Sequence, residues 1–301
     1  MNAKQLKWAA AALVVAVLLW AASEAMTERP DDRQSARVLP EDVGGVNRIV
    51  ITTPEDTVIL ARTGADWKVN GYDVATDQLA KLFEALSDSS ESEIAATSQA
   101  VHQRMGVADD GRRLIFFKDL DTAAVLIFGK RGRDGSSFYA RRAGSDAVYL
   151  YSGPLTGVLE NRVDDWRDDV IADVMPDGVA AVVVRGGAMS YVLTRQTDGG
   201  WAIGEEVADS AAVERLLNKY RPLKAAGFAS AAQLDSVDLA RPDRELMLLG
   251  STGDTLAALV FDSTEAGYWV RRVDALTIYQ LPHHRVDQLM PDVSTFWPTG
   301  G

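Results

Sequence analysis

The chain contains one pattern of residues twice, and an internal repeat constrains the fold of a chain more than any single motif does. The first copy has "VNRIVI", "TVILAR", "DWKV" and "TDQLAKLFEAL" in order, and the second has "VAAVVV", "SYVLTR", "GWAI" and "DSAAVERLLNKY". Trp67 and Trp201 hold the same place in the two copies, 134 residues apart. Further along, "SFYARRAG" matches "GYWVRRVD". The sequence therefore predicts two tandem homologous lobes, residues 46–158 and residues 179–301.

Each copy combines short strands with one helix. Apolar residues recur at i, i+3, i+4 and i+7 from Leu79 to Leu86 and again from Val213 to Tyr220, which is the spacing of one helical face. Short apolar runs separated by Gly and Asp turns predict antiparallel hairpins, with about seven strands per copy. The predicted fold class is α+β. We expect each tryptophan to fill the gap between sheet and helix rather than to stack on a ligand, so Trp67→Ala should cost about 3 to 5 kcal/mol.

Residues 159–178 join the two copies. Val163, Trp166 and Val170 are spaced three and four residues apart, which predicts a short connector helix that braces both lobes. The segment also holds a cluster of acidic residues that lacks the glycine and the ligand spacing of a calcium loop. A solvated helix face is therefore the favoured interpretation of this cluster, which consists of Asp164, Asp165, Asp168 and Asp169.

The N-terminal residues predict a membrane-targeting segment followed by a stalk. Residues 1–7 contain two lysines, and residues 8–23 carry no charge. Trp8 and Trp20 near the two ends favour a transmembrane anchor, whereas the small residues of "AASEA" leave a cleaved signal peptide open. Because the lysines precede the span, the positive-inside rule predicts a single-pass inner-membrane protein with a cytoplasmic N-terminus and a periplasmic body. Residues 24–45 are polar and predict a flexible stalk.

Composition and motifs exclude several classes of function. A formal net charge of -12 disfavours binding to nucleic acid, and the absence of cysteine excludes disulfides and thiol chemistry. No hydrolase, kinase or metalloprotease signature occurs. "LIFGKRGRDGSS" ends like a phosphate loop at Gly129 and Lys130, but Ala124 stands where that motif requires glycine, so a hairpin turn is favoured. We expect no enzymatic activity, no cofactor and no metal.

Two arginine pairs are the candidate binding residues. Arg141 with Arg142 and Arg271 with Arg272 end equivalent strands beside an aromatic residue. A guanidinium group suits a carboxylate or phosphate partner, so these four residues form a hypothetical docking site for an acidic partner. In so acidic a chain, an internal ion pair is the favoured alternative.

The order of these segments resembles the bacterial domain-of-unknown-function family DUF4340. The resemblance is carried by "NRIVI", "VILAR", "DWKV", "TDQLAKLFEAL", "FYARR" and "AVYLY", followed by the second copy, and it covers the chain from Val46 onward. It carries no catalytic residue. Members of that family are often encoded beside type-2 ABC permeases, which implies an accessory subunit of an export or envelope complex.

The expected function is therefore that of a non-enzymatic, membrane-anchored periplasmic protein that binds an integral membrane or envelope protein, with an ABC permease as the first candidate. Two alternatives stay open at this point. One is a periplasmic binder or hydrolase of a small ligand or polymer, with a cleft between the lobes. The other is a structural subunit of a larger membrane assembly.

Overall fold

The structure is a computed structural model that describes residues 38–39, 45–87, 92–186, 190–234 and 237–297. The predicted n-region at residues 1–7 and the predicted membrane segment at residues 8–23 lie outside these ranges, as does most of the predicted stalk at residues 24–45. Of the helices that are described, none combines the length and the apolar character needed to cross a bilayer.

The chain divides by its internal contacts into two compact units. The first unit contains the described residues up to Gly71 together with Asp77–Val163, and the second contains Tyr72–Thr76 together with the described residues from Asp164 onward.

Within the described ranges, the first sheet has nine strands. Their order is β4-β3-β2-β1-β6-β7-β8-β9-β5, and every neighbouring pair from β3 onward is antiparallel. The strands are β1 (Arg48–Thr52), β2 (Thr57–Thr63), β3 (Asp66–Val69), β4 (Tyr72–Asp73), β5 (Ser92–Ala96), β6 (Arg112–Lys118), β7 (Asp121–Arg131), β8 (Ser137–Arg142) and β9 (Val148–Ser152).

The described residues of the second half of the chain form a small sheet of two strands, β10 and β15, and another sheet of nine. The order of the larger sheet is β14-β13-β12-β11-β17-β18-β19-β20-β16, and its strands are also antiparallel. The strands are β10 (Val170–Ala172), β11 (Val179–Arg185), β12 (Tyr191–Arg195), β13 (Trp201–Ile203), β14 (Glu206–Ala208), β15 (Leu223–Lys224), β16 (Gly227–Phe228), β17 (Arg244–Gly250), β18 (Thr255–Thr264), β19 (Gly267–Arg272) and β20 (Tyr279–Leu281).

Helices connect these strands. The α-helices are α1 (Thr76–Ser87), α2 (His102–Met105), α3 (Leu155–Val158), α4 (Val163–Trp166), α5 (Ser210–Leu217), α6 (Ala231–Leu234) and α7 (His283–Leu289). The 3-10 turns are Gln99–Val101, Pro176–Gly178, Asn218–Tyr220 and Val293–Phe296.

The two predicted amphipathic helices, α1 and α5, are both present and bury their apolar faces. The α5 helix begins where the Asp209 carboxylate accepts a hydrogen bond from the Ala211 amide at 2.9 Å, which satisfies one of the unpaired amides of the first turn. It then buries Val213 and Leu216. The α1 helix likewise buries Leu82 and Leu86. The α+β class with antiparallel sheets is therefore confirmed.

The two large sheets have the same strand order, element for element. Each nevertheless has nine strands rather than the predicted number of about seven. The missed strands include β5 and β16, which follow the helix and pair with the last strand of their sheet, β9 and β20. Strands of two to five residues at a sheet edge are too short for apolar alternation to show them.

The prediction of a connector helix is only partly right, because helix α4 ends at Trp166. Val170, which has helical spacing from Val163, instead begins strand β10 and pairs with Lys224. The Asp168 carboxylate accepts a hydrogen bond from the Val170 amide at 3.0 Å, which holds the extended backbone. The β-branched pair of Val170 and Ile171 also suits a strand better than a helix.

The two repeated tryptophans are not equally buried. Trp201 is 2% exposed and belongs to a core that also contains Leu216 and Phe261. Trp67 is only partly buried and packs edge-on against Phe83 of helix α1, with ring centroids 5.4 Å apart. Both indoles thus pack in their own unit, and only Trp201 lies fully within a core.

Candidate functional site

The four predicted arginines occupy matching positions in the two sheets. In strand β8, Arg141 lies opposite Ile127 of β7, and in strand β19, Arg271 lies opposite Val260 of β18. The second arginine of each pair lies one position further along the same strand, opposite a leucine in both sheets. The register therefore makes the two pairs directly comparable.

Arg141 forms an internal ion pair and is only 3% exposed. Its Nη2 donates to Oδ1 of Asp109 at 2.6 Å, its Nε donates to the Val107 carbonyl at 2.9 Å, and its Nη1 donates to the Ser145 carbonyl at 3.1 Å. The hydrogen bond from Arg141, together with its charge, lowers the pKa of Asp109. Arg141 thus holds the loop before β6 against the end of β8, which agrees with the internal-ion-pair interpretation.

Arg142 contacts the described part of the predicted stalk. Its Nε donates to the Val38 carbonyl and its Nη2 to the Leu39 carbonyl, both at 3.2 Å. Val38 and Leu39 are buried, and they border a small apolar cavity that Leu126 and Phe138 also line. At these two residues the predicted flexible stalk is a segment packed onto the first sheet.

Arg272 is bound within its own loop. Its Nε and Nη2 donate to the two carboxylate oxygens of Asp274, at 3.0 and 2.7 Å. This two-point hydrogen bond lowers the pKa of Asp274 and raises the pKa of Arg272. The pair fixes the turn that follows strand β19, where the Ala275 amide also donates to the Arg272 carbonyl at 3.1 Å.

Arg271 differs from its counterpart Arg141. In the part of the chain that the structure describes, its side chain has no hydrogen bond or ion pair, and its Nε is buried without a partner. The sequence explains the difference: when "RRLIFFKD" is matched to "RELMLLGS", Asp109 corresponds to Arg241. The acid that pairs with Arg141 is therefore replaced by a cation in the second copy.

The loop after strand β19 also exposes two apolar side chains. Val273 is 61% exposed and Leu276 is 93% exposed. The corresponding residues of the first copy are Ala143 and Asp146. We call residues 271–276 the docking loop, because it places apolar surface beside an unpaired guanidinium and is held in shape by the Arg272 pair. The arginines are repeated in the sequence and were predicted, whereas the exposed apolar residues were not, although the difference between "RRAGSDAVY" and "RRVDALTIY" indicates them.

A comparison with known protein families gives one match. The family model "Domain of unknown function (DUF4340)" matches residues 67–242, which is more than half of the chain. The protein belongs to the DUF4340 family. The predicted family is thereby confirmed. No curated protein and no solved structure matches this chain.

Two histidines and one tyrosine of this DUF4340 protein have structural partners. His102 contacts the Asp146 carbonyl at 3.0 Å through Nε2, and His283 packs edge-on against Tyr268. Burial raises the pKa of Tyr220, whose hydroxyl donates to the Leu289 carbonyl at 2.6 Å. Across the described ranges, no group of three or more metal-ligating side chains comes together.

The acidic cluster of the connector makes local contacts in this DUF4340 protein. Asp164 accepts a hydrogen bond from Nη1 of Arg167 at 3.1 Å, and Asp169 pairs with Lys224 at 3.1 Å. The Arg167 guanidinium lies between the rings of Tyr72 and Phe228, 3.8 Å from each centroid, all within the second unit. Two acids of the cluster thus pair with cations of the second unit.

Proposed function

We propose that this protein is a non-enzymatic accessory protein of the cell envelope, anchored in the inner membrane by residues 8–23, with its N-terminus in the cytoplasm and its body in the periplasm. In this proposal it binds an integral membrane or envelope protein, and a type-2 ABC permease is the first candidate. The lysines before an uncharged apolar run support the anchor, and the family's frequent gene neighbours support the partner.

We also infer that the two units are copies of one duplicated unit. The identical strand order of the two nine-stranded sheets and the matching register of the arginine pairs support this inference.

The docking loop is the single observation that carries the binding proposal. An exposed leucine releases about 1.5 to 3 kcal/mol when it is fully buried at an interface. Arginine beside apolar residues is the composition found at the energetic centre of protein interfaces. Because Arg271 has no acidic partner within the described residues, a carboxylate of the partner can pair with its guanidinium group. The partner surface that fits this loop is an apolar pocket bordered by an acidic residue.

The loop is also preorganised. Its turn is fixed by the Arg272 and Asp274 pair, and the Val273 amide donates to the Ala258 carbonyl of strand β18 at 2.9 Å. A loop that is already ordered loses less conformational entropy when it binds, so a small contact area is enough for specific recognition.

The test is a pull-down of the intact, detergent-solubilised chain from the membranes of its own cell, with bound proteins identified by mass spectrometry. We expect Leu276→Asp and Arg271→Gln each to lose the membrane partner that the wild-type chain retains. Leu120→Asp is the matched control, because Leu120 is 91% exposed in the turn between β6 and β7 of the first unit. This control should retain the partner.

An unchanged set of bound proteins with Leu276→Asp would contradict docking through this loop. The mass of the N-terminal peptide tests the anchor separately, because a cleaved signal peptide would remove residues 8–23 from the mature chain.

A further inference from the structure

The first unit contains a cleft of about 500 Å³ beside strand β7. The cleft lies where the β7–β8 ladder is interrupted: Phe128 pairs with Ala140, and the next pair is Arg131 with Phe138. Gly129 and Lys130 on β7 thus face Tyr139 alone on β8, which is a β-bulge. Bulges redirect side chains out of the regular alternation of a strand, and here the bulge residues line the cleft.

Gly129 has a local reason to be glycine. A Cβ atom at this position would lie 2.2 Å from the Met105 carbonyl oxygen, because the loop after helix α2 packs directly on the strand. The corresponding ladder of the second sheet, β18 with β19, continues without a bulge from Leu259 to Thr264. The phosphate-loop resemblance of "LIFGKRGRDGSS" therefore marks a bulge that the second copy lacks.

The ionisable residues of the cleft are mainly cations. Among the described residues, Arg112, Lys130 and Arg131 line it together with a single acid, Glu160, so this lining carries an excess of two positive charges in a chain whose net charge is -12. Arg131 is paired with Glu160 through two hydrogen bonds, of 3.0 and 2.5 Å. Arg112 and Lys130 have no side-chain hydrogen bond or ion pair within the ranges that the structure describes.

The rest of the cleft surface is partly apolar. Phe128, Phe138 and Leu159 contribute to its lining. A volume of about 500 Å³ lies within the range of small-molecule sites, which combine an apolar lining with a few polar groups that fix the orientation of the ligand. A neighbouring cleft of about 480 Å³ shares Arg112 and Leu159 with it, but is also lined by Glu55 and Asp56. The cationic excess is thus confined to the bulge side.

We propose that this cleft is a binding site for a small anionic ligand that has an apolar body and one carboxylate or phosphate group. The anionic group pairs with Arg112 and Lys130, and the apolar body lies against Phe128 and Leu159. The Arg131 and Glu160 pair borders the site and reduces its positive charge. The site lies within the first unit, and it does not depend on the docking loop or on the proposed membrane partner.

The test measures binding by isothermal titration calorimetry of the full chain in nanodiscs of phosphatidylcholine, with the heat from empty nanodiscs subtracted. The probes are benzoate, phenyl phosphate, inorganic phosphate and benzylamine. We expect saturable binding of benzoate or phenyl phosphate, and the tighter of the two identifies the anionic group. Inorganic phosphate lacks the apolar body and should bind at least tenfold more weakly, and benzylamine carries the opposite charge and should not bind.

Variants locate the binding. Arg112→Gln combined with Lys130→Gln should weaken binding of the aromatic anion at least tenfold. The matched control is Lys219→Gln with Arg221→Gln, which removes two exposed cations from the second unit and should leave the affinity unchanged. Glu160→Gln should tighten binding severalfold, because Arg131 then becomes available to the ligand. The substituted cations are exposed, so thermal unfolding should show these variants to be folded.

Any of three results would overturn the proposal. The first is no saturable binding of benzoate or phenyl phosphate to the wild-type chain. The second is equal affinity for the wild type and for the variant that lacks Arg112 and Lys130. The third is equal binding of benzylamine, which would show that charge does not select the ligand.

Discussion

The two sheets have the same strand order, and they use their matching arginines in opposite ways. Arg141 in the first unit is buried, with three hydrogen bonds and an acidic partner, whereas Arg271 in the second has neither within the described residues. The backbone positions are equivalent, and the difference comes from a single change of sign, Asp109 in one copy and Arg241 in the other. A shared fold thus fixes where a side chain stands, and its neighbours decide whether it is available to a partner.

The bulge in strand β7 gives a second comparison. In the first unit Gly129 allows the loop after α2 to pack directly on the strand, and the bulge turns Lys130 into a cleft. In the second unit the corresponding residue is Asp262, and its carboxylate accepts a hydrogen bond from the Asp238 amide at 2.8 Å. The cationic cleft lies in the first unit and the docking loop in the second, so the two units differ at these two places.

The largest expected effect separates the two tryptophans. Trp201→Ala should lower the free energy of unfolding by about 3 to 5 kcal/mol, because it leaves a cavity in the second core. Trp67→Ala should cost about half as much, since Trp67 keeps part of its surface in water and loses mainly its contact with Phe83. Urea unfolding followed by far-ultraviolet circular dichroism measures both losses, and equal losses would show that the two indoles are equivalent after all.

The next effect separates Arg141 from its counterpart Arg271. Arg141→Ala should cost about 2 to 3 kcal/mol, because the Val107 and Ser145 carbonyls and the Asp109 carboxylate lose a charged donor. Arg271→Ala should change the free energy of unfolding by less than about 0.5 kcal/mol, because its side chain makes no hydrogen bond with the residues that the structure describes. Arg141→Lys serves as a control that keeps the charge but not the fork of donors. A large loss with Arg271→Ala would point to a structural role for that residue.

A smaller effect on stability is expected when Arg271 is given an acidic partner. Arg241→Asp recreates in the second copy the acid of the first, and it should stabilise the protein by about 0.5 to 1 kcal/mol through an ion pair with Arg271. A double-mutant cycle with Arg271→Ala isolates the pair, and the gain should vanish in the Arg271→Ala background. The same Arg241→Asp variant should bind the membrane partner more weakly, because Arg271 is then occupied. A gain that is independent of Arg271 would contradict the correspondence of Asp109 with Arg241.

The smallest expected effect is a dependence of protein stability on pH. Arg141 lowers the pKa of Asp109 in the folded protein below its ordinary value of 3.8, so ionised Asp109 favours the native state. This stabilisation is fully present at pH values above the ordinary pKa of the carboxyl group. It is lost as the pH falls through the lowered pKa of Asp109 in the folded protein. We therefore expect the difference in Tm between wild type and Asp109→Asn to persist from neutral pH to about pH 5 and to shrink below pH 4. Arg271→Gln is the matched comparison and should show no such loss, because Arg271 has no acidic partner in the described residues.

Much of the secondary structure could be predicted from short-range patterns. The helical faces around Leu82 and Leu216 were visible because the apolar spacing spans a whole helix, and both faces are buried. The edge strands β5 and β16 could not be predicted in this way, because two to five residues are too few to show an alternation of apolar and polar side chains. The connector was misread as one helix because Val170 has helical spacing from Val163, although its backbone pairs with strand β15. The spacing of apolar residues within a short segment does not show whether that segment pairs with a strand from a distant part of the chain.

The candidate site was found in part. The repeated arginine pairs drew attention to residues 141, 142, 271 and 272, but nothing local shows that Arg142 holds the carbonyls of Val38 and Leu39, more than a hundred residues earlier. The sequence also gave no reason to expect that Gly129 and Lys130 would border a cleft with Arg112, because a bulge is defined by the strand opposite it.

The sequence by itself determined the family, the α+β class and the corresponding positions of the two copies, since these follow from the order and the periodicity of residues along the chain. Only the tertiary structure decided which of two matching arginines is paired, which of two matching tryptophans is fully buried and that the β7–β8 ladder carries a bulge where the β18–β19 ladder has none. Burial and pairing depend on neighbours from distant parts of the chain. The charge and shape of those neighbours, rather than the repeated residue itself, determine its role.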